Sequence, residues 1–167
     1  MVEIIQASPA QLHIVQKIAQ HTWPVAFSNI LTPEQIQFML QWMYDLKALE
    51  QQVEEKAHVF LLAEEEGEFL GFAAYELHCQ SQPKTKIHKI YILPNTQGKG
   101  IGKKLISKVK EIGAKNGDSH IYLNVNRFNV NAIDFYLHYG FYEAKREVID
   151  IGNGFIMDDI VMEMALD

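Results

Sequence analysis

At 167 residues the chain is long enough to bury one core, and a single domain over residues 1–167 is the expectation. The formal charge of −6, from 15 basic and 21 acidic side chains, argues against general nucleic-acid binding, which needs a basic surface, and suits a cationic partner. The single cysteine, Cys79, excludes an internal disulfide; with no apolar run near the ~20 residues of a spanning helix and no secretory leader pattern, a cytoplasmic protein without membrane contact is expected.

Val2 to Gln6 reads as a short strand. Ser8-Pro9 supplies a cap and a first-turn proline for a helix whose Leu12, Val15, Ile18 and Ala19 form one apolar stripe, running to about His21. Trp23-Pro24 interrupts that pattern, and Thr32-Pro33-Glu34 repeats the cap-and-proline start. The second helix carries Phe38, Met39, Trp42 and Met43 on its apolar face, and Asp45 caps a further turn or two through Lys56. His58–Glu64 and Phe69–His78 read as hairpin strands around the polar turn Glu65-Glu66-Gly67-Glu68. Residues 79–85 read as a polar loop with Pro83.

Lys86 to Leu93 is the next strand, and a glycine-rich turn follows it. A helix then runs from Ile101 to Lys115, with Ile101, Leu105, Val109 and Ile112 on one face and a stop at Asn116-Gly117. Ser119–Val125 is a strand, Asn129–Tyr139 a helix closed by Gly140, and Phe141–Ile149 and Phe155–Ala165 a pair of strands around Gly152-Asn153-Gly154. This order implies an α/β chain with a mixed central sheet and helices on both faces.

The turn between Leu93 and Ile101 carries the chemistry. Glycine lets backbone N–H groups approach a ligand, and the first turn of a helix leaves donors unpaired. Strand, glycine turn and helix thus outline a phosphate cradle. No Ser or Thr follows a Gly-Lys pair as a P-loop requires, and the third glycine comes one residue too early for a dinucleotide fingerprint. The pattern Gln97-x-x-Gly100-x-Gly102 resembles the acetyl-CoA pyrophosphate loop of the GNAT N-acetyltransferase superfamily. Asn129-x-x-Ala132-x-x-x-Tyr136, followed by Gly140-Phe141, resembles that family's second signature. The resemblance covers residues 58–166 well and the earlier part only in layout.

It implies the GNAT acyl-CoA N-acyltransferase fold, in which the strands before and after the glycine-loop helix are parallel and splay apart around the coenzyme arm. It also implies acetyl-CoA as acetyl donor and a primary amine as acceptor. The main chain of Ile90, Tyr91 and Ile92 would hold the thioester, and the backbone of Gly98, Lys99, Gly100, Ile101, Gly102 and Lys103, with Gln97, the pyrophosphate. The lysines Lys99, Lys103 and Lys104 would add charge or simply form a solvated helix start. Asn129 and Asn131 would contact the coenzyme arm, with a helix cap as the rival role for Asn129. Tyr136 would serve the departing sulfur as an acid, with aromatic packing as its rival role.

The general base is the point of departure from the resemblance. In the family, ribosomal-protein N-terminal acetyltransferases often place a glutamate at the position of Asn124, and other members use one on the strand before the loop, where Lys86 and His88 match; none of these is a carboxylate here. His88 is the candidate base, since an ordinary imidazole titrates near ~6.5; a structurally bonded histidine and a bound water are its rivals. Trp23, Phe27, Trp42 and Tyr44, with Asp150, Asp158 and Asp159, would form an aromatic and acidic groove or pack in the core. No Cys/His cluster has metal-ligand spacing along the chain, and the chemistry needs no metal. Lys89-Ile90-Tyr91-Ile92 ahead of the glycine turn, with Asn129 to Tyr136 and the closing Asp159-Ile160-Val161-Met162-Glu163-Met164, is similar to bacterial polyamine acetyltransferases of the spermidine/spermine type, which implies a small amine acceptor. A protein or peptide amine, and a coenzyme-binding module without turnover, are the alternatives. A homodimer is one option for the assembly.

Overall fold

The computed structural model describes residues 1–96 and 98–166, so Gln97 lies outside the described residues. The elements in order are β1 (Glu3–Gln6), α1 (Leu12–Ala26), α2 (Pro33–Tyr44), α3 (Leu46–Glu54), β2 (Val59–Glu65), β3 (Glu68–Glu76), β4 (Lys84–Ile92), α4 (Ile101–Lys115), β5 (His120–Asn126), α5 (Val130–Tyr139), β6 (Tyr142–Gly152) and β7 (Phe155–Ala165). The strands form one seven-stranded sheet in the order β1-β2-β3-β4-β5-β7-β6. β4 and β5 are parallel, while β1/β2, β2/β3, β5/β7 and β6/β7 are antiparallel, which is the mixed sheet that the element order implies. Contacts divide the chain into two compact units.

The first unit comprises Met1–Glu76 and His88–Val109. Pro9 opens a short 3-10 turn before α1, and Leu12, Val15, Ile18 and Ala19 are buried as their spacing predicts. α1 does not stop at His21; it continues through Pro24 to Ala26. An interior proline costs roughly 3 kcal/mol, whereas burying one large apolar side chain returns ~1.5–3 kcal/mol. Trp23 and Phe27, at 3% and 6% exposure, sit on either side of the proline, and the Phe27 N–H closes on the Trp23 carbonyl at 3.0 Å. The last turn is therefore held by tertiary burial rather than by propensity.

Thr32 caps α2, its hydroxyl accepting from the Gln35 N–H at 3.1 Å. The buried face of α2 is Ile36, Met39 and Tyr44, so the expected face is rotated. Trp42 is 49% exposed and stacks on Phe38 with centroids 6.1 Å apart. Asp45 stands at the start of α3, as expected, but without a side-chain capping bond. Trp23, Phe27 and Tyr44, weighed as groove aromatics, pack in the core with Phe72 and Tyr91. The Trp23 indole N–H donates to the Tyr44 hydroxyl at 3.3 Å, and burial holds that phenol well above its ordinary range. Lys89, buried on β4, points its ammonium at the Gln52 amide oxygen and the faces of Tyr44 and Phe60, which replace some of its lost hydration.

The second unit comprises Leu77–Ile87 and the chain from Lys110 onward. β4 begins at Lys84 rather than Lys86, because the parallel ladder already runs from Lys84↔His120 to Ile87↔Leu123. Asp118 fixes that start. Its buried carboxylate accepts from the Thr85 hydroxyl at 2.7 Å, the His78 N–H at 3.0 Å and the His78 ring at 2.6 Å. Gly113 lets α4 lie close on β4: an added Cβ would stand 2.6 Å from the Thr85 hydroxyl. Gly117, at φ +86°, ends the helix as its position predicts. Cys79 is 5% exposed and packs as a small apolar residue.

Candidate active site

In the first unit β4 runs into the glycine turn. The Leu93 N–H donates to the Leu70 carbonyl at 2.8 Å, and a 3-10 turn at Pro94–Thr96 folds back so that the Thr96 hydroxyl reaches the Leu93 carbonyl at 2.7 Å. Gly98 and Gly100 have φ of +90° and +68°, a conformation that glycine adopts without strain. A Cβ on either would meet none of the described residues within 4 Å, so among them the turn presents bare backbone to open space. The first intrahelical bond of α4 is from the Lys104 N–H to the Gly100 carbonyl at 3.0 Å. The N–H groups of Ile101, Gly102 and Lys103 consequently have no acceptor within the helix, and they carry the positive end of its dipole. Ile101 and Gly102 are buried, which anchors this first turn.

The lysines behave differently from one another. Lys99 pairs with Glu65 at 2.5 Å, and that bond is the main reason the Glu65 carboxyl is held below its ordinary value. Its ammonium is thus directed at β2, whereas its backbone N–H stays in the turn. Lys104 reaches the Val2 carbonyl at 3.5 Å, and Lys103 is exposed.

Ile90, Tyr91 and Ile92 are half-buried, and the Tyr91 ring packs 5.5 Å from Trp23. Behind this segment lies Gly71 of β3, which sequence reasoning did not single out. A Cβ there would stand 2.9 Å from the Tyr91 carbonyl oxygen and 3.3 Å from the Ile92 Cα. Its one signal is a glycine inside an otherwise apolar strand, which marks close backbone approach.

His88 projects from β4 as a half-buried, hydrogen-bonded side chain, with Nε2 2.9 Å from Glu76 Oε1. An ionised carboxylate only accepts, so it fixes the His88 tautomer with the proton on Nε2 and leaves Nδ1 as the basic nitrogen. His58 stacks on His88, centroids 3.9 Å apart and planes 19° apart, and places its own Nε2 3.7 Å from the same carboxylate oxygen. Neither Glu76 nor His58 was legible as a partner. They lie far from His88 along the chain, and only the pairing of β2 with β3, with Val59 opposite Tyr75, brings His58 across from Glu76.

In the second unit α5 carries the other signature. The Asn129 amide oxygen caps the helix, accepting from the Ala132 N–H at 3.3 Å, so the capping role expected as a rival is present. Asn131 is exposed in the first turn. Gly140, at φ +126°, ends α5 with its N–H toward the Tyr136 and Leu137 carbonyls. Tyr136 is 8% exposed, with Phe135 and Phe141 edge-on at 5.5 Å, and burial pushes its phenol far above the ordinary range. Among the described residues its hydroxyl has no protein hydrogen-bond partner.

Asn124 donates from one amide nitrogen to Glu147 Oε2 at 3.2 Å and to Asp159 Oδ2 at 3.3 Å. This strand thus presents an amide that holds two carboxylates, one from β6 and one from β7. Desolvation raises the Asp159 carboxyl, and the Asn124 bond only partly offsets it. Asp158 pairs with Arg127 at 3.1 Å and Asp150 accepts from the Gly152 N–H at 2.8 Å. The acids weighed for a groove are therefore each engaged locally.

A mixed sheet carries a bare glycine turn that opens α4 and, one strand further along the chain, a capped helix that buries a tyrosine. The chain belongs to the Acetyltransferase (GNAT) family, whose model matches residues 15–141. An uncharacterized N-acetyltransferase of Methanocaldococcus jannaschii is 34% identical over 90 residues, or 52% of this chain, and the chain spans only 40% of that relative's length. A spermidine N(1)-acetyltransferase of Thermoplasma acidophilum is 27% identical over 161 residues, covering 94% of this chain and 96% of its own. The crystal structure of the PaiA N-acetyltransferase of Thermoplasma acidophilum, in complex with coenzyme A, superposes with a TM-score of 0.81 at 24% identity over 99% of both chains.

Proposed function

We propose that the chain transfers the acetyl group of acetyl-CoA to a primary amine of a small, polyamine-like molecule in the cytoplasm. The observation that carries the coenzyme half is the glycine turn, where open space faces backbone that an anion must touch. The first-turn N–H donors of Ile101, Gly102 and Lys103, which find no acceptor among the described residues, would meet the pyrophosphate, and the main chain of Ile90 to Ile92 would orient the thioester carbonyl. Asn129 and Asn131 would contact the pantetheine arm, Asn129 through the amide nitrogen that capping leaves unused. The end-to-end likeness to a spermidine acetyltransferase supports the small amine as acceptor, and the net charge of −6 suits a polycation.

In the reaction the C–S bond of the thioester breaks and a C–N bond to the acceptor forms. His88 Nδ1 takes the proton that the amine loses, with Glu76 keeping the ring in position. Tyr136 donates a hydrogen bond to the departing sulfur. Its raised phenol keeps its proton at every physiological pH, so the donor is always present and gains strength as charge builds on the sulfur. The test is product formation from acetyl-CoA with polyamines, peptide amines and aminoglycosides in parallel. Turnover with polyamines is the expected result. Turnover confined to peptides would replace the acceptor, and coenzyme binding without turnover on any amine would make the chain a binding module.

A further inference from the structure

We propose that His58, Glu76 and His88 form a binding site for a divalent transition-metal ion of the zinc class. The three come from neighbouring stretches: His58 stands just before β2, Glu76 ends β3 and His88 lies in the middle of β4. One ligand atom from each lies within 4.8 Å of the other two. Zinc bonds of ~2.0–2.2 Å in a tetrahedral site separate neighbouring ligand atoms by about 3.4 Å, so modest side-chain rotation closes the set. Two imidazoles and one carboxylate are a complete protein complement for a zinc ion that keeps one open position. Both Nε2 atoms already face the same carboxylate oxygen, at 2.9 and 3.7 Å. The His58 side chain is 9% exposed and those of Glu76 and His88 are 22% and 19% exposed, so two anchored ligands border solvent through which an ion enters.

Occupation has a chemical consequence that rests on the base role proposed for His88. A metal on His88 Nε2 obliges the neutral ring to carry its proton on Nδ1, the nitrogen that would accept the amine proton. The ion would therefore silence transfer rather than assist it.

The probe is zinc alone, titrated calorimetrically into coenzyme-free protein. One ion per chain is expected, with affinity at least tenfold weaker in His58→Ala and in Glu76→Gln, and unchanged in His13→Ala, an exposed histidine outside the cluster. Glu76→Gln keeps the side-chain shape and removes only the anionic ligand, so it decides the matter if His58→Ala does not fold. Absence of zinc binding to the wild type, or wild-type affinity in folded Glu76→Gln, overturns the site. Turnover is then followed by acetylated product rather than by thiol release, because free coenzyme thiol also binds zinc. Loss of turnover that a chelator reverses is expected. Full turnover with zinc bound overturns the base role of His88 and leaves the metal site standing.

Discussion

Tyr136 and His88 illustrate how much a single residue's neighbours decide. Tyr136→Phe keeps the ring that Phe135 and Phe141 pack against and removes only the hydroxyl. Turnover is expected to fall by roughly 10²-fold with acetyl-CoA affinity nearly unchanged, in steady-state kinetics beside calorimetry. Wild-type turnover in this variant would strip the tyrosine of its role. His88→Ala is expected to lower turnover and to abolish the acidic limb of the rate–pH profile, since a protonated imidazole accepts no further proton. A limb that persists in the variant would move the base role to water. The place of Tyr136 on α5 was legible because its helix has a fixed pattern of neighbours in sequence. Glu76 and His58 were not, since cross-strand register, rather than spacing, places them beside His88.

Among the elements, β4, the glycine turn and α4 form the segment most dependent on bare backbone. Gly100→Val would put a branched side chain at φ +68°, where such residues are strained, and into the space that faces the turn's donors. Acetyl-CoA affinity is expected to drop at least tenfold, about 1.4 kcal/mol, as measured by calorimetry on variant that retains its circular dichroism. Undiminished affinity would remove the turn from the coenzyme site. The limits Ile101 and Lys115 were readable from the sequence because apolar spacing and a terminal glycine agree there. α1 was not, because Pro24 outweighs Trp23 and Phe27 in a local reading while their burial outweighs Pro24 in the folded chain. The face of α2 was misjudged for a related reason: Trp42 is large and apolar, yet its neighbours leave it half in water.

For the molecule as a whole, stability should depend on acid in a direction set by its buried carboxylates. Desolvation alone would raise the Asp118 carboxyl, but the bonds from the His78 N–H, the Thr85 hydroxyl and the His78 ring together hold it below the ordinary 3.8. A carboxyl lowered by folding contributes stability that is present above its unfolded value and lost as pH falls through the folded one. Asp118→Asn is thus expected to cost ~1.5–3 kcal/mol at pH 7, seen as a lower melting temperature, and much less near pH 3. An equal loss at both pH values would mean that the charge is not what matters. Asp159 acts in the opposite sense, since its raised carboxyl binds a proton more readily folded than unfolded. Fold class and element order were legible at this scale because strand, turn and helix signals agree.

The two tryptophans give the protein a built-in optical gauge. Trp23 is buried, donates to Tyr44 and lies 5.5 Å from the Tyr91 ring, on the strand whose backbone would hold the thioester, whereas Trp42 is 49% exposed beside Phe38. Emission should therefore separate into a blue component shielded from acrylamide and a redder one open to it. In Trp42→Phe only the shielded component remains, and its intensity should change in proportion to bound acetyl-CoA as Tyr91 and the strand settle on the ligand. A signal that stays flat while calorimetry registers saturation would show that coenzyme binding leaves the Trp23–Tyr91 contact undisturbed.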